Sequence, residues 1–252
     1  MKFKQNLLLF FSLSCFFLSC KKDPKLIPNN NAPYYAGIPT VKVHNYINRL
    51  FIDLIGREAL DTELAAELAV LRANTLSIGA REQLIVKLQT NDSYLVGDSS
   101  YKYAYYNRFY EITKARLLEG IPDSDILSEK GLIDFDILKD SIAGDSVSFQ
   151  IRKKQSQKLV EVIKAQAYYR MDSIDIRGVY ARMLDNAIYD KINMNTFNFV
   201  RASFSNLFFR YPSQSELIAA YDIVEYDAPR IILGKSAQNK GEYINVLLNS
   251  SE

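Results

Sequence analysis

The chain has 252 residues, 48% of them hydrophobic and 24% charged, with 31 Lys and Arg against 29 Asp and Glu. This composition is that of a globular protein. It excludes a disordered tail, a collagen and a small disulfide scaffold, and the length allows one or two domains with their own cores. A formal net charge of +2 does nothing to favour nucleic acid, which wants a basic stripe or face, and no nucleic-acid partner is expected.

The chain opens on Met1-Lys2-Phe3-Lys4, and an apolar run from Leu7 to Leu18 follows, broken only by Ser12, Ser14 and Cys15. The run is too short for a good spanning helix, and a basic start with a short apolar core is the layout of an export signal. Leu18-Ser19-Cys20 resembles the bacterial lipobox, whose cysteine is acylated and becomes the first mature residue. The resemblance implies a signal peptide over 1–19, lipidation of Cys20, and attachment to a membrane without spanning it. The only other cysteine, Cys15, would leave with the signal, so the mature body would hold no free thiol or disulfide. Without Lys2 and Lys4 the remaining cations equal the acidic residues in number. The Lys21-Lys22-Asp23 that follows the cysteine is similar to lipoproteins of the Bacteroidetes group, which implies the outer membrane, on either face.

Residues 20–40 carry four prolines and three consecutive asparagines, and read as an extended tether. Residues 41–252 read as the folded domain. Val43, Tyr46, Ile47, Leu50, Phe51, Leu54 and Ile55 recur at helical spacing and predict a helix that Gly56 ends. Asp61 or Thr62 is placed to cap a second helix with Leu64, Leu68 and Leu71 inward. Ile78 to Gln89 predicts a third, with Leu84, Ile85 and Leu88 inward. Tyr101 to Glu119 reads as a long helix closed by Gly120 and Pro122. Residues 120–148, with three glycines, a proline and many Asp and Ser, read as an irregular insertion. Helices follow over Phe149–Met171, Arg177–Asn193 and Phe197–Phe209, and Ser213-Gln214-Ser215-Glu216 fits a capping box. Only Arg230 to Leu233 suggests a strand. The prediction is an all-α, multi-helix bundle.

That bundle carries an internal echo. At an offset of 153 residues, Leu54 meets Leu207, Arg57 meets Arg210, Glu63 meets Glu216 and Leu64 meets Leu217; Ile47 meets Val200 and Phe51 meets Phe204. At an offset of 160, Glu82, Leu84, Val86 and Leu88 meet Glu242, Ile244, Val246 and Leu248. The helix triplet of residues 43–90 is therefore expected to recur at 197–250 as a duplication. Arg57 and Arg210 fall at a helix C-terminus, Glu63 and Glu216 in the first turn of the next helix. Each charge suits its helix dipole, and each pair can close across its turn, a structural role.

Ile47-Asn48-Arg49-Leu50-Phe51-Ile52-Asp53-Leu54-Ile55-Gly56-Arg57 with Glu63-Leu64 resembles the start of an uncharacterised helical domain that accompanies cytochrome c modules in planctomycete surface proteins. Tyr211-Pro212-Ser213-Gln214-Ser215-Glu216-Leu217 and Leu247-Leu248-Asn249-Ser250-Ser251-Glu252 resemble later helical domains of the same group, and also short helical repeats of phycobilisome-linker and surface-layer type. The resemblance implies a helical envelope protein. It brings no haem, because the chain has no Cys-x-x-Cys-His.

Catalytic chemistry is sparse. The single histidine, His44, opens the first helix with no nucleophile–carboxylate set around it. Zinc held by Cys and His is excluded by count. Asp123-Ser124-Asp125 with Glu129, Asp134 and Asp136 is the best oxygen cluster for calcium, but Leu127 and Ser128 stand where an EF-hand needs an oxygen ligand and a glycine. Gly234-Lys235-Ser236 imitates the end of a phosphate loop, and Pro229 stands where its first glycine belongs. No metal and no cofactor is expected. Tyrosines number 17, with no Trp. Tyr101, Tyr105, Tyr106 and Tyr110 crowd one helix and are the candidate ligand or interface residues, since Tyr joins apolar area to a polar tip. The sequence thus predicts a lipid-anchored, non-catalytic interaction or scaffold module with an envelope protein partner. The alternatives are a glycan- or nutrient-binding lipoprotein using the tyrosines, and an accessory subunit of a haem-containing or enzymatic envelope complex.

Overall fold

Apolar side chains recurring every third or fourth residue wind this chain into helix after helix. The computed structural model describes residues 37–95 and 99–252, so the signal segment 1–19, Cys20 and the tether up to residue 36 lie outside the described residues. Among those described there are eleven helices and one two-stranded hairpin, and the fold is all-α. Thr40–Glu252 forms one compact unit. None of the described helices is long and apolar enough to cross a membrane.

Helix α1 (Thr40–Leu54) buries Val43, Ile47 and Phe51. It ends where Gly56 turns into the left-handed region, at φ +89°, and donates its N–H to the carbonyls of Phe51 and Ile52. Helix α2 (Asp61–Ala73) is capped at Leu60, not at Asp61 or Thr62 as the sequence suggests. The reason is Glu63, whose carboxylate accepts the Leu60 N–H at 2.7 Å and starts the helix one residue earlier. Asp61 then lies in the first turn, where its charge suits the dipole. Helix α3 (Ile78–Thr90) is capped by Ser77, and α4 (Tyr101–Leu117) by Ser100.

The segment expected to be irregular is a long helical hairpin. Helix α5 runs over Asp123–Ala143 and α6 over Ser146–Arg170, roughly 31 and 37 Å at ~1.5 Å per residue. Gly120 and Gly144 lie just outside the helix ends at φ +71°, and Pro122 is the N-cap, so these breakers mark boundaries. The many Asp side chains are a solvated helix surface laced by Lys130–Asp134 and Lys139–Asp136 pairs.

The expected helix over Arg177–Asn193 is two, α7 (Ile176–Leu184) and α8 (Ala187–Asn193). Buried Asn186 makes the break. Its Oδ1 accepts the N–H groups of Ile188 and Tyr189 at 3.0 Å, while its Nδ2 donates back to the carbonyls of Arg182 and Met183. One side chain satisfies both helix ends.

Helices α9 (Thr196–Phe208) and α10 (Gln214–Tyr226) follow. Strands β1 (Arg230–Ile232) and β2 (Lys235–Ala237) then pair antiparallel, Ile231 opposite Ser236, before α11 (Lys240–Leu248). Leu233 and Gly234 both take positive φ, as a tight hairpin turn demands. Gly234-Lys235-Ser236 is thus a hairpin turn and strand. A continuous core runs from Tyr110 through Leu159, Met183 and Phe204 to Leu247. Ile47, Phe51, Leu71, Leu84 and Leu88 are buried apart from that cluster, within the first triplet.

Candidate interaction surface

The paired Arg and Glu residues build the same turn twice. Arg57 Nη1 and Nη2 donate to Glu63 Oε2 and Oε1 at 2.8 and 3.0 Å; Arg210 donates to Glu216 in the same order at 2.9 and 2.8 Å. Glu63 Oε2 also accepts the Leu60 N–H, and Glu216 Oε2 the Ser213 N–H, both at 2.7 Å. Nη1 of each Arg also donates to the next residue's carbonyl, Glu58 or Tyr211. Each guanidinium lies over the ring six residues back, 5.7 Å from the Phe51 centroid and 5.0 Å from that of Phe204. Each of these partners obeys the offset of 153. Burial would raise the Glu63 carboxyl, but the bonds from Arg57, the Leu60 N–H and the Tyr101 hydroxyl together outweigh it and hold the group below its ordinary range. The Arg210 bonds bring the Glu216 carboxyl down to about 2. A guanidinium locked to a carboxylate with a helix N–H beneath it fixes a turn and offers neither acid nor base.

The four singled-out tyrosines do not form one surface. Tyr101 and Tyr110 are core residues, so the expectation that all four face a ligand or partner is corrected for these two. Tyr101 packs edge-on against Phe51 and donates its hydroxyl to Glu63 Oε1 at 2.8 Å. Tyr110 donates to Asp123 Oδ1 at 3.0 Å. The same Asp123 oxygen accepts buried Lys114 Nζ at 2.7 Å, and Glu111 accepts it at 3.0 Å. Burial, then the neighbouring carboxylates, pushes both hydroxyls well above the ordinary tyrosine range. Tyr105 and Tyr106 are half-buried, the edge of one ring set against the face of the other, and Tyr106 packs on Tyr169 at 4.7 Å. Helices α1, α3, α6 and α7 pack around α4 and draw these rings inward.

The acidic residues considered for calcium are spread along α5 and paired with cations: Asp123 with Lys114, Glu129 with Lys191, Asp134 with Lys130 and Asp136 with Lys139. Among the described residues no three His, Cys, Asp or Glu side chains gather as a metal site. A cleft of about 460 Å³ opens between α6, α7 and α11. Its charged walls are closed as Lys158–Asp185, Arg182–Glu161 and Arg177–Asp175 pairs.

What stands open is the outer face of α5. Ile126 and Asp140 are buried against α6, while Leu127, Leu132, Phe135, Leu138 and Ile142 point away from it. Leu132 is 64% exposed, Phe135 59% and Ile142 79%. Gly131 sits among them mid-helix, and a Cβ built there would meet nothing within 4 Å. Val147 and Ile151 are exposed near the hairpin turn on α6. The sequence hides this face. Ile126, Ile133 and Ile137 fill the opposite side, so apolar residues go almost round the helix and no single stripe stands out. A helix apolar on both sides needs a second cover, and that is the signal that could have found it.

Compared with protein families, with characterised proteins and with solved structures, the chain matches none.

Proposed function

We propose that this is a lipid-anchored outer-membrane protein that works as a non-catalytic interaction module, presenting the α5–α6 hairpin to a protein partner. The single observation that carries the reading is the uncovered apolar face of α5, because monomeric proteins rarely leave such a patch without an interaction to fill it. The signal-like start and Leu18-Ser19-Cys20 support the anchor, and the prolines of residues 20–40 supply the reach. The identical clamps support triplets 43–90 and 197–250 being copies of one unit that frames the hairpin. The resemblance of Ile47–Arg57 and Tyr211–Leu217 to planctomycete surface proteins fits an envelope setting.

Two experiments test it. Metabolic fatty-acid labelling should mark the full chain and vanish in Cys20→Ala; persistent label removes the anchor. Affinity capture from mildly crosslinked envelopes should recover a protein in amounts comparable to the bait, and Leu138→Arg should lose it. Equal recovery by both forms would show that the α5 face is not the seat.

A further inference from the structure

We infer that the occupant of the α5 face is a second copy of this chain, docked antiparallel about a two-fold axis beside Phe135. This rests on reading that face as the interaction surface and names its partner. The first argument is self-complementarity. In a two-fold interface every residue on one side of the axis meets its counterpart from the other copy. Leu127 and Ile142 lie equally far from a midpoint next to Phe135, and Gly131 and Leu138 share that midpoint. Antiparallel packing therefore sets Leu127 against Ile142, sets Leu138 into the space that Gly131 leaves open, and brings Phe135 beside its mate. Gly131 has no intramolecular reason to be glycine, since a Cβ would meet nothing, and a mid-helix glycine costs about 1 kcal/mol against alanine. Close approach of another helix supplies the reason.

The second argument is area. Five side chains at these exposures leave roughly 550 Å² uncovered at about 180 Å² each, and Val147 and Ile151 add exposed apolar surface near the hairpin turn. A stable interface covers about 800 Å² per partner. The third is charge. Lys130 with Asp134 borders the face, and Lys139, its Nζ 4.5 Å from the Phe135 centroid, reaches over it while paired with Asp136; each pair is neutral within its own copy. An anionic lipid surface calls for a cationic flank, and an acidic or basic protein for the opposite sign. A neutral flank suits an identical neighbour.

Disulfide scanning in envelopes of cells making the full chain tests the geometry. The chain with only its own cysteines runs beside each variant, so that bands needing the new thiol are scored. Phe135→Cys should give a species of twice the monomer mass on mild oxidation. Leu127→Cys alone should not, because two Leu127 positions lie about 22 Å apart across the axis, fifteen residues at ~1.5 Å each. Co-expressing Leu127→Cys with Ile142→Cys should restore the dimer. Adding Leu138→Arg to Phe135→Cys should cut the dimer at least tenfold, and since these side chains face outward, the substitution leaves the core intact. A Phe135→Cys adduct to an unrelated protein overturns the second copy and leaves the interaction reading standing. Self-linking at all three positions overturns the antiparallel arrangement. No adduct at any position overturns both readings.

Discussion

The turn between α1 and α2 and the turn between α9 and α10 close on the same Arg–Glu clamp, and the helices around them are stabilised by different chemistry. In the first triplet, buried Glu67 on α2 pairs with Lys87 on α3. At the same offsets the second triplet has Ala220 and Leu247, both buried and apolar. In the first, Tyr101 covers Phe51 and donates to Glu63. In the second, the Glu252 carboxylate reaches Arg210 from the other side. What stays the same is the element that sets the angle between two helices. What differs is the packing behind it, which each copy meets with its own neighbours.

The largest effect should come from breaking the clamp. Arg57→Ala leaves Glu63 beneath α2 with no guanidinium and strips the cation from the Phe51 ring. Removing one partner of a fully buried pair costs about 3–5 kcal/mol, and this half-buried one should cost about 2–3. Arg210→Ala should cost about 1–2 kcal/mol, because Glu216 is more exposed than Glu63 and can regain water. Urea midpoints measure both, and an Arg210 loss larger than the Arg57 loss would reverse the ranking. Next is the ion pair. Lys87→Leu alone leaves Glu67 buried without its cation and should cost about 2 kcal/mol. The double change Glu67→Ala with Lys87→Leu carries the second copy's residues into the first, and should return to within about 1 kcal/mol of the parent. A double variant no better than the single would mean that the two triplets pack differently.

Most of the helices, the all-α class and both clamps are legible in the sequence because they depend on local signals: apolar spacing, a capping glutamate six residues after an arginine, a glycine past a helix end. Of the features the sequence hides, some depend on neighbours far along the chain and others on a helix that glycines and a proline disguise as a loop. Asp123, Asp134 and Asp136 read as loop residues until Lys114, Lys130 and Lys139 are seen beside them on helices. Glu67 looks like a surface residue because its partner lies twenty positions away. Tyr101 and Tyr110 look available because nothing local says that Glu63 and Asp123 receive their hydroxyls. The outer face of α5 was missed for the opposite reason, an excess of apolar residues that blurs the period.

The two clamps should also separate with pH. Both carboxyls sit below their unfolded value of 4.5, Glu216 at about 2. A group depressed in the folded state adds stability above its unfolded pKa and loses it as pH falls through the folded value. Between pH 4.5 and about 2, Glu216→Gln should therefore flatten the fall of the urea midpoint, the parent and variant converging at the acid end. A gap that stays constant with pH would show that Glu216 acts by packing alone.

The smallest effect would sharpen the comparison most. Ser213 closes a full capping box, its Oγ accepting the Glu216 N–H at 3.3 Å while Glu216 accepts the Ser213 N–H. The first copy has only the return half, because Leu60 has no acceptor and lies half in solvent. Leu60→Ser supplies the missing oxygen on a backbone of almost the same shape, φ −66° against −62°. It should stabilise the protein by about 0.5–1 kcal/mol, the worth of an N-cap, while giving up little apolar burial. Ser213→Leu should cost a similar amount in the second copy. If Leu60→Ser gives nothing while Ser213→Leu is costly, then Leu60 is held by contacts that Ser213 lacks, and the two turns are alike in their clamp but not in their caps.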